Sequence, residues 1–179
     1  RFKTRPSFVQ KGTTMIIAAL FALLAAKTSR QTLVWRDPFA LWTTVMHYWP
    51  NQSRAYDNLA AAYLKQGDYE QARPLLEAAA RLEPDLPTTN TNLGSLYRKL
   101  GRLAEAEQRL NQALAVDPQY SPALNNLGLV LWDAGRINEA KEVLQQAIRN
   151  DAEAAFESRL NLAMLLRQEG QTEAAAALY

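Results

Sequence analysis

Residues able to carry out chemistry are few and far apart in this chain of 179 residues. The chain contains no cysteine, which excludes a thiol nucleophile, a disulfide framework and a thiolate metal site. His47 is its single histidine, and no paired carboxylates accompany it in the sequence. We therefore expect His47 to be a surface or interface residue and not a metal ligand or a general base. The sequence also lacks a P-loop and a glycine-rich dinucleotide loop.

The acidic residues do not form a pattern typical of an active site. Five glutamates lie at helical positions that normally face solvent, often near arginine or glutamine: Glu105, Glu107, Glu139, Glu142 and Glu173. Acid–base catalysis by carboxylates requires a pocket that shifts their pKa values. We therefore predict no catalytic residue, no cofactor and no metal, and a chain that is not itself an enzyme. The net charge of +2 is evenly spread and does not favour nucleic acid as a partner.

A repeat of 34 residues dominates the C-terminal two thirds of the chain. Leucine, glycine and alanine each recur with this period, which lengthens by one residue before the last unit: Leu59, Leu93, Leu127 and Leu162; Gly67, Gly101, Gly135 and Gly170; Ala72, Ala106, Ala140 and Ala175. A fixed period of this length predicts stacked helical hairpins. Each glycine is expected to end a first helix, and each alanine to be a point of close contact on the second helix. Pro84 and Pro118 are expected to stop second helices.

This pattern resembles the tetratricopeptide repeat family over residues 53–179. The resemblance implies an all-α fold, a right-handed α-solenoid of helix-turn-helix units. The units divide as 53–86, 87–120, 121–154 and a partial unit 156–179. Ala152 replaces the terminal proline of the third unit and one extra residue follows. We therefore predict a looser or re-angled joint around residues 151–156.

In the tetratricopeptide family the first helices line a concave groove that selects a protein or peptide ligand. Transferred by position, the resemblance implies these partner-binding residues: Arg54, Asp57, Lys65, Arg98, Lys99, Asn125, Trp132, Asp133 and Arg167. Trp132 is the strongest single candidate because large aromatic residues dominate interface energetics, although packing between the third and fourth units is an equal alternative. Neither repeat register supplies the basic residues with which some members grip a terminal carboxylate.

An asparagine also precedes each recurring leucine by one residue: Asn58, Asn92, Asn126 and Asn161. Two interpretations are open for these four side chains. They contact the backbone of a ligand, or they form hydrogen bonds between neighbouring helices.

The N-terminal segment, residues 1–34, has a basic flank and then an uncharged apolar run. Four Lys or Arg residues precede residues 12–26, which contain no charge. At 1.5 Å per residue this run spans roughly 22 Å. It is somewhat shorter than the helix of ~20 residues that crosses a bilayer comfortably. We favour a transmembrane helix, with a signal-peptide core and a buried helix as alternatives. Three basic residues follow the run against four before it, which favours repeats on the non-cytoplasmic side, periplasmic or luminal.

The junction, residues 35–52, is predicted to be an aromatic helix that caps the repeat array. Asp37 is the expected N-cap, Pro38 the first helical residue and Pro50 the stop. An apolar face follows from the spacing of Phe39, Trp42, Val45, Met46 and Trp49.

Two functional hypotheses follow. The first is a non-enzymatic scaffold, anchored by one span or by the last span of a longer protein, that binds or braces partner proteins within a larger membrane assembly. The second rests on the hydrophobic helix followed by Arg30, Trp35, Asp37-Pro38, Leu41-Trp42 and Pro50-Asn51. This arrangement loosely resembles the join in membrane glycosyltransferases of the protein O-mannosyltransferase type. That resemblance covers residues 20–60 and implies repeats that bind acceptor proteins, but it brings no catalytic residue.

Overall fold

The computed structural model describes residues 37–150 and 155–178. Within these ranges every regular element is an α-helix, as predicted. The helices are α1 (Pro38–Tyr48), α2 (Ser53–Gln66), α3 (Tyr69–Leu82), α4 (Pro87–Lys99), α5 (Leu103–Val116), α6 (Ser121–Asp133), α7 (Ile137–Asn150), α8 (Phe156–Gln168) and α9 (Thr172–Ala176). None of these described helices has the length and apolar character needed to cross a bilayer. The apolar run 12–26 and Ala152 lie outside the described residues, and the re-angled joint predicted around residues 151–156 stays a prediction.

Glycine turns and prolines divide the chain into helical hairpins. Gly67 follows α2 with φ 79° and Gly101 follows α4 with φ 72°, a left-handed conformation that residues with a Cβ adopt at a cost. The Asp68 carboxylate then caps α3 by accepting a hydrogen bond from the Gln71 backbone N–H at 3.1 Å. Helix α3 ends at Leu82, two residues before Pro84. The predicted glycine turns and the stop at Pro84 are thus confirmed.

The interior of each hairpin is a repeated apolar contact. Helix α3 buries Ala72, Leu76 and Ala79 completely, and the equivalent alanine–leucine–alanine sets of α5 and α7 are also fully buried. Leu110 of α5 packs directly on Gly94 of α4, where an added Cβ would lie 2.6 Å from the Leu110 Cγ. The missing Cβ of Gly94 therefore allows the two helices of this hairpin to come this close.

The same contact occurs in the third hairpin, where a Cβ on Gly128 would lie 2.6 Å from the Leu144 Cγ. The first and last hairpins have Ala60 and Ala163 at this position, both fully buried. The two central hairpins are therefore the most closely packed at this point.

Helix α1 packs against α2 and covers the start of the array. As predicted, Asp37 is the N-cap, and its carboxylate accepts from the Phe39 N–H at 2.9 Å. The Phe39 and Tyr63 rings pack edge to face, with centroids 4.9 Å apart. The predicted apolar face of this helix was wrong for Trp49, which is the C-cap residue and is 59% exposed. Proline disfavours the α conformation in the residue before it, so Pro50 turns Trp49 away from the apolar face.

Candidate partner-binding face

The first helices of the four hairpins, α2, α4, α6 and α8, pack side by side in chain order. We call the surface formed by their outward side chains the first-helix face. The contacts between successive first helices are named in order the first joint (α2 with α4), the second joint (α4 with α6) and the third joint (α6 with α8). All nine predicted partner-binding residues belong to these four helices.

Asp57 is buried in the first joint. Its side chain is only 5% exposed, and its Oδ1 accepts a hydrogen bond from the Asn92 Nδ2 at 3.0 Å. Burial raises the pKa of Asp57, and hydrogen bonds from Asn92 and Thr88 act in the opposite direction. The pKa of Tyr120 is raised as well, first by its own burial and then by the charge of Asp57. Asp57 therefore bonds within the stack, and little of it is accessible to a ligand.

Asn125 occupies the same place in the third joint. It is 7% exposed, and its Oδ1 accepts from the Ser158 hydroxyl at 3.1 Å and from the Asn161 Nδ2 at 3.0 Å. The interpretation that the recurring asparagines bond between neighbouring helices is thus confirmed for Asn92 and Asn161. Thr91 takes this position in the second joint, where its buried hydroxyl has no hydrogen-bond partner among the described residues. The three joints therefore have different polar groups at one repeated position: a carboxylate, a hydroxyl and an amide.

Arg98, Trp132 and Asp133 also lie across joints. The Arg98 Nε is 2.6 Å from the Asp133 Oδ2 across the second joint. The Trp132 Nε1 donates to the Gln168 Oε1 at 3.1 Å across the third joint, while its half-buried ring packs against the core. These contacts match the packing alternative for Trp132 and give Arg98 and Asp133 a partner inside the chain.

Four of the bonds across the joints share a regular offset in the sequence. Asp57 with Asn92 and Arg98 with Asp133 are 35 residues apart, and Asn125 with Asn161 and Trp132 with Gln168 are 36 apart. The two residues of each pair are separated by one repeat period plus one residue. The offset is 36 in the third joint because the period there is longer by one residue. Sequence reasoning compared equivalent positions and missed this offset, although it is readable from the repeat.

The remaining predicted residues are exposed. Arg54, Lys65, Lys99 and Arg167 all lie on the surface. No carboxylate of the described residues lies within 4.0 Å of their charged groups. The structure thus separates the predicted set into residues that join the units and basic residues that face solvent.

Helix α8 also carries exposed apolar side chains. Phe156, Leu160 and Met164 are 70%, 36% and 41% exposed. Their spacing of four residues places them along one side of the helix. This spacing was the signal available in the sequence.

Three glutamates of the second helices, Glu105, Glu107 and Glu139, form ion pairs with arginines. Arg136 contacts Glu107 at 2.8 Å and Glu139 at 2.6 Å, which ties the second hairpin to the third. The pKa of Arg136 is raised by its hydrogen bonds to Glu139 and Glu107, and the pKa of Glu139 is lowered by Arg136. In the described part of the chain, no group of three or more His, Cys, Asp or Glu residues is placed to hold a metal ion.

Family and structure comparisons agree on the fold. One tetratricopeptide repeat model matches residues 63–129 and 97–158, and a second matches residues 157–179. TTC0263, a thermophilic tetratricopeptide protein in Thermus thermophilus, superposes with a TM-score of 0.73 at 24% identity, over 86% of this chain and 85% of that one. PilF of Pseudomonas aeruginosa gives 0.65 at 22% identity, over 93% and 72% of the two chains.

MamA residues 41-end from Desulfovibrio magneticus RS-1 gives a TM-score of 0.65 at 19% identity, over 88% of this chain and 90% of that one. Likenesses at these identities show the fold alone. No curated protein matches the chain. The glycine-ended hairpins, their shared period and the family models together show that the chain belongs to the tetratricopeptide repeat family, whose members are in general non-enzymatic and bind protein or peptide partners.

Proposed function

We propose that this protein is a membrane-anchored scaffold whose first-helix face binds a protein or peptide partner within a larger assembly. One observation carries the binding part of the proposal. Residues such as Asp57 and Asn125 tie the first helices together, while Lys65, Lys99 and Met164 remain exposed on the same helices. A surface held rigid before binding loses less conformational entropy when a partner binds.

The membrane part of the proposal rests on the N-terminal third of the chain. The uncharged run 12–26 is flanked by Lys11 and Lys27, whose long side chains can reach a membrane surface. Helix α1 then ends in Tyr48 and Trp49, which are 67% and 59% exposed. Exposed tyrosine and tryptophan favour the membrane–water interface. By the distribution of basic residues, the repeats lie on the non-cytoplasmic side.

The anchor is tested with two variants that add the same charge. Ile17→Lys with Leu23→Lys places two charges inside the apolar run, and the cost of a charge at the bilayer centre, about 2.5–3.5 kcal/mol each, should release the protein from carbonate-washed membranes. Thr13→Lys with Thr14→Lys places the same charges at the edge of the run and should leave the protein in the membrane fraction. Retention of the first variant would refute the anchor.

The orientation is tested by cysteine labelling, since the chain has no cysteine of its own. Gln119→Cys introduces an exposed thiol in the loop after α5. In right-side-out vesicles this thiol should react with an impermeant maleimide, whereas Ser7→Cys should react only after permeabilisation. The opposite pattern would place the repeats in the cytoplasm.

The binding face is tested by cross-linking from matched surface positions. A photo-reactive group on Lys99→Cys or Met164→Cys should cross-link one discrete partner in native membranes. The same group on Arg81→Cys, an exposed position of the second helix α3, should not. Cross-links from Arg81→Cys alone would move the binding site to the second helices and contradict the proposal.

A further inference from the structure

We propose that α8 forms a fourth joint with a helix of a partner protein, which places an apolar side chain opposite Leu160 and an acidic side chain opposite Arg167. This inference goes beyond the proposed function, because it concerns the end of the stack and not the first-helix face. Two pairings that recur in the three joints define what the partner helix must carry.

The first pairing covers one repeated position of each first helix. Asp57, Thr91 and Asn125 hold this position in α2, α4 and α6 and are only 5%, 4% and 7% exposed, because the next first helix packs over them. Leu160 holds the same position in α8 and is 36% exposed. The end of the stack therefore presents an uncovered copy of a position that is buried in all three joints.

The chemistry at this position determines the residue that covers it. In the first and third joints the covering residue is an asparagine, whose Nδ2 donates to the side-chain oxygen of Asp57 or Asn125. Leu160 has no acceptor to offer, and a buried amide without a hydrogen-bond partner is costly. A helix that matches Leu160 therefore has an apolar residue where Asn92 and Asn161 stand in their own helices.

The second pairing lies seven residues further along the helices. Here Arg98 contacts Asp133 at 2.6 Å across the second joint, and Trp132 donates to Gln168 at 3.1 Å across the third. Arg167 holds the position of Arg98 and Trp132 in α8. It is exposed, and no carboxylate of the described residues lies within 4.0 Å of its charged group. By analogy with Arg98, its match on the partner helix is an aspartate or glutamate.

The surroundings of Leu160 favour an apolar side chain as well. A cavity of about 390 Å³ opens at this end of the stack and is lined by Phe156, Arg159, Leu160, Ala177 and Leu178. Four of these five lining residues are apolar, and Phe156 is 70% exposed. Contiguous exposed apolar side chains of this kind mark interaction sites.

A second copy of this chain does not match the two positions. The first helix that it would offer is α2, which has Asn58 and Lys65 at the two matching places. Lys65 would then face Arg167, a repulsion between like charges, and the amide of Asn58 would be buried against Leu160. Helix α1 also covers the start of the array, where another stack would have to dock. The two positions therefore select a helix from a different protein.

The direction of the partner helix follows from the third joint. Both pairings are present there, and the second lies seven residues after the first on α6 and also on α8. Neighbouring first helices are therefore parallel. A parallel partner helix has its apolar residue first and its acidic residue seven positions later, about 10 Å along the helix axis.

The experiment uses the full 179-residue chain in non-ionic detergent and fluorescein-labelled peptides of about 14 residues. A side-chain bridge fixes each peptide as a helix, because free helices of this length are marginal in water. The matched peptide has Leu and then Glu at the spacing of Leu160 and Arg167. In three control peptides Lys replaces Glu, Asn replaces Leu, or Leu and Glu exchange places.

In fluorescence anisotropy the matched peptide should bind at least about tenfold more tightly than each control peptide. The peptide with exchanged positions has the same composition, so it controls for nonspecific apolar and charge effects. Equal affinity for all four peptides, or a preference for the exchanged order, would overturn the inference.

Variants that reverse the preference assign the peptide to the two positions. Arg167→Glu should prefer the peptide with Lys, and Leu160→Asn should prefer the peptide with Asn, as Asn125 does for Asn161 in the third joint. A misfolded variant cannot produce such a reversal. The control, Lys65→Glu, makes the same change in charge on α2 and should leave all four affinities unchanged. Loss of binding without reversal, or an equal effect of Lys65→Glu, would refute the assignment.

Sedimentation of the parent chain and of Leu160→Asn tests the second copy as occupant. Both should have the same oligomeric state in detergent. Self-association that Leu160→Asn abolishes would make the occupant a second copy and overturn the inference. Cross-linking from Lys99→Cys reports separately on the first-helix face, so the proposed function stands or fails independently of these peptides.

Discussion

The interiors of the hairpins and the joints between them are built from different kinds of contact. Inside the hairpins, α3, α5 and α7 present the same buried alanine–leucine–alanine set to the facing helix. In the joints, one repeated position holds the carboxylate of Asp57, the hydroxyl of Thr91 and the amide of Asn125. The Thr91 hydroxyl has no hydrogen-bond partner in the described part of the chain. The hairpin interiors are apolar and nearly identical to one another, whereas the joints are polar and differ from one another in their polar groups.

Energy scales explain this difference. Truncation of a fully buried leucine costs about 2–5 kcal/mol, whereas a typical hydrogen bond contributes about 0.5–1.5 kcal/mol net. The hairpin interior must therefore repeat for each unit to remain folded, while a joint can change one polar pair without loss of the stack. Most of the stability is expected to come from the hairpin interiors. The differences between the units are expected in the joints and on the exposed face.

The largest expected effect is the loss of a hairpin leucine. Leu110→Ala should lower the free energy of unfolding by about 2–5 kcal/mol because Leu110 is fully buried against Gly94. Urea denaturation followed by circular dichroism measures the change. Val116→Ala on the same helix, where the side chain is 53% exposed, should change stability by less than about 0.5 kcal/mol. A loss at Leu110 no larger than that of the joint variants below would break the comparison.

A double-mutant cycle at the glycine sharpens the interior half of the comparison. Gly94→Ala places a Cβ 2.6 Å from the Leu110 Cγ, and overpacking should cost about 1–3 kcal/mol, reduced by up to about 1 kcal/mol of helix propensity. In the Leu110→Ala background the same change should stabilise the protein, because the new methyl group enters the vacated space. The reverse change, Ala60→Gly, should cost about 1 kcal/mol through propensity. A Gly94→Ala effect of the same sign in both backgrounds would contradict the close contact.

Exchanging the polar groups of the first and third joints tests their individuality. Burial raises the pKa of Asp57, so the folded state holds this proton more tightly than the unfolded state. The cost of the buried charge is fully present above the raised pKa and disappears as the pH falls below the ordinary value of 3.8. Asp57→Asn should therefore stabilise the protein at pH 7 relative to the parent, and this advantage should vanish on acidification.

Asn125→Asp is the matched change in the third joint. It should lower the free energy of unfolding by about 1 kcal/mol at pH 7 and recover on acidification, because it introduces a buried carboxylate. Urea denaturation at several pH values measures both variants. Parallel pH profiles for the parent and Asp57→Asn would show that Asp57 carries no such cost.

The smallest expected effect is at the partly exposed ion pair of the second joint. Arg98→Ala should cost about 0.2–1 kcal/mol, as typical of surface pairs, and the cost should fall at high salt. A cycle with Asp133→Ala isolates the pair energy from the effects of each truncation. A coupling above that range would place Arg98 with the structural core of the array.

Local patterns in the sequence were sufficient for the helices and their ends. The cap at Asp37 and the glycine turns depend on residues a few positions apart, and the structure confirms them. The predicted apolar face of α1 wrongly included Trp49, because Pro50 disfavours the helical conformation in the residue before it. These features are readable because local backbone geometry alone decides them.

The candidate site was only partly predictable for a different reason. The sequence located all nine residues on the first helices, but it did not distinguish Arg98, which is paired, from Lys99, which is exposed. That distinction depends on the stagger between neighbouring helices, which sets which side chains meet across a joint. Adjacent residues on one helix point in directions about 100° apart, so a small difference in stagger exchanges their roles.

The sequence by itself determined the period, the hairpins and the apolar interior of this protein, because a residue's neighbours in its own unit decide them. The total charge follows from the composition alone. Tertiary structure alone decided that Asp57 and Asn125 are buried in the joints and that Trp132 bonds to Gln168. It also decided that Lys65, Lys99 and the apolar residues of α8 remain exposed. The physical reason is that accessibility and pairing belong to the packed stack, where side chains 35 or 36 residues apart become neighbours.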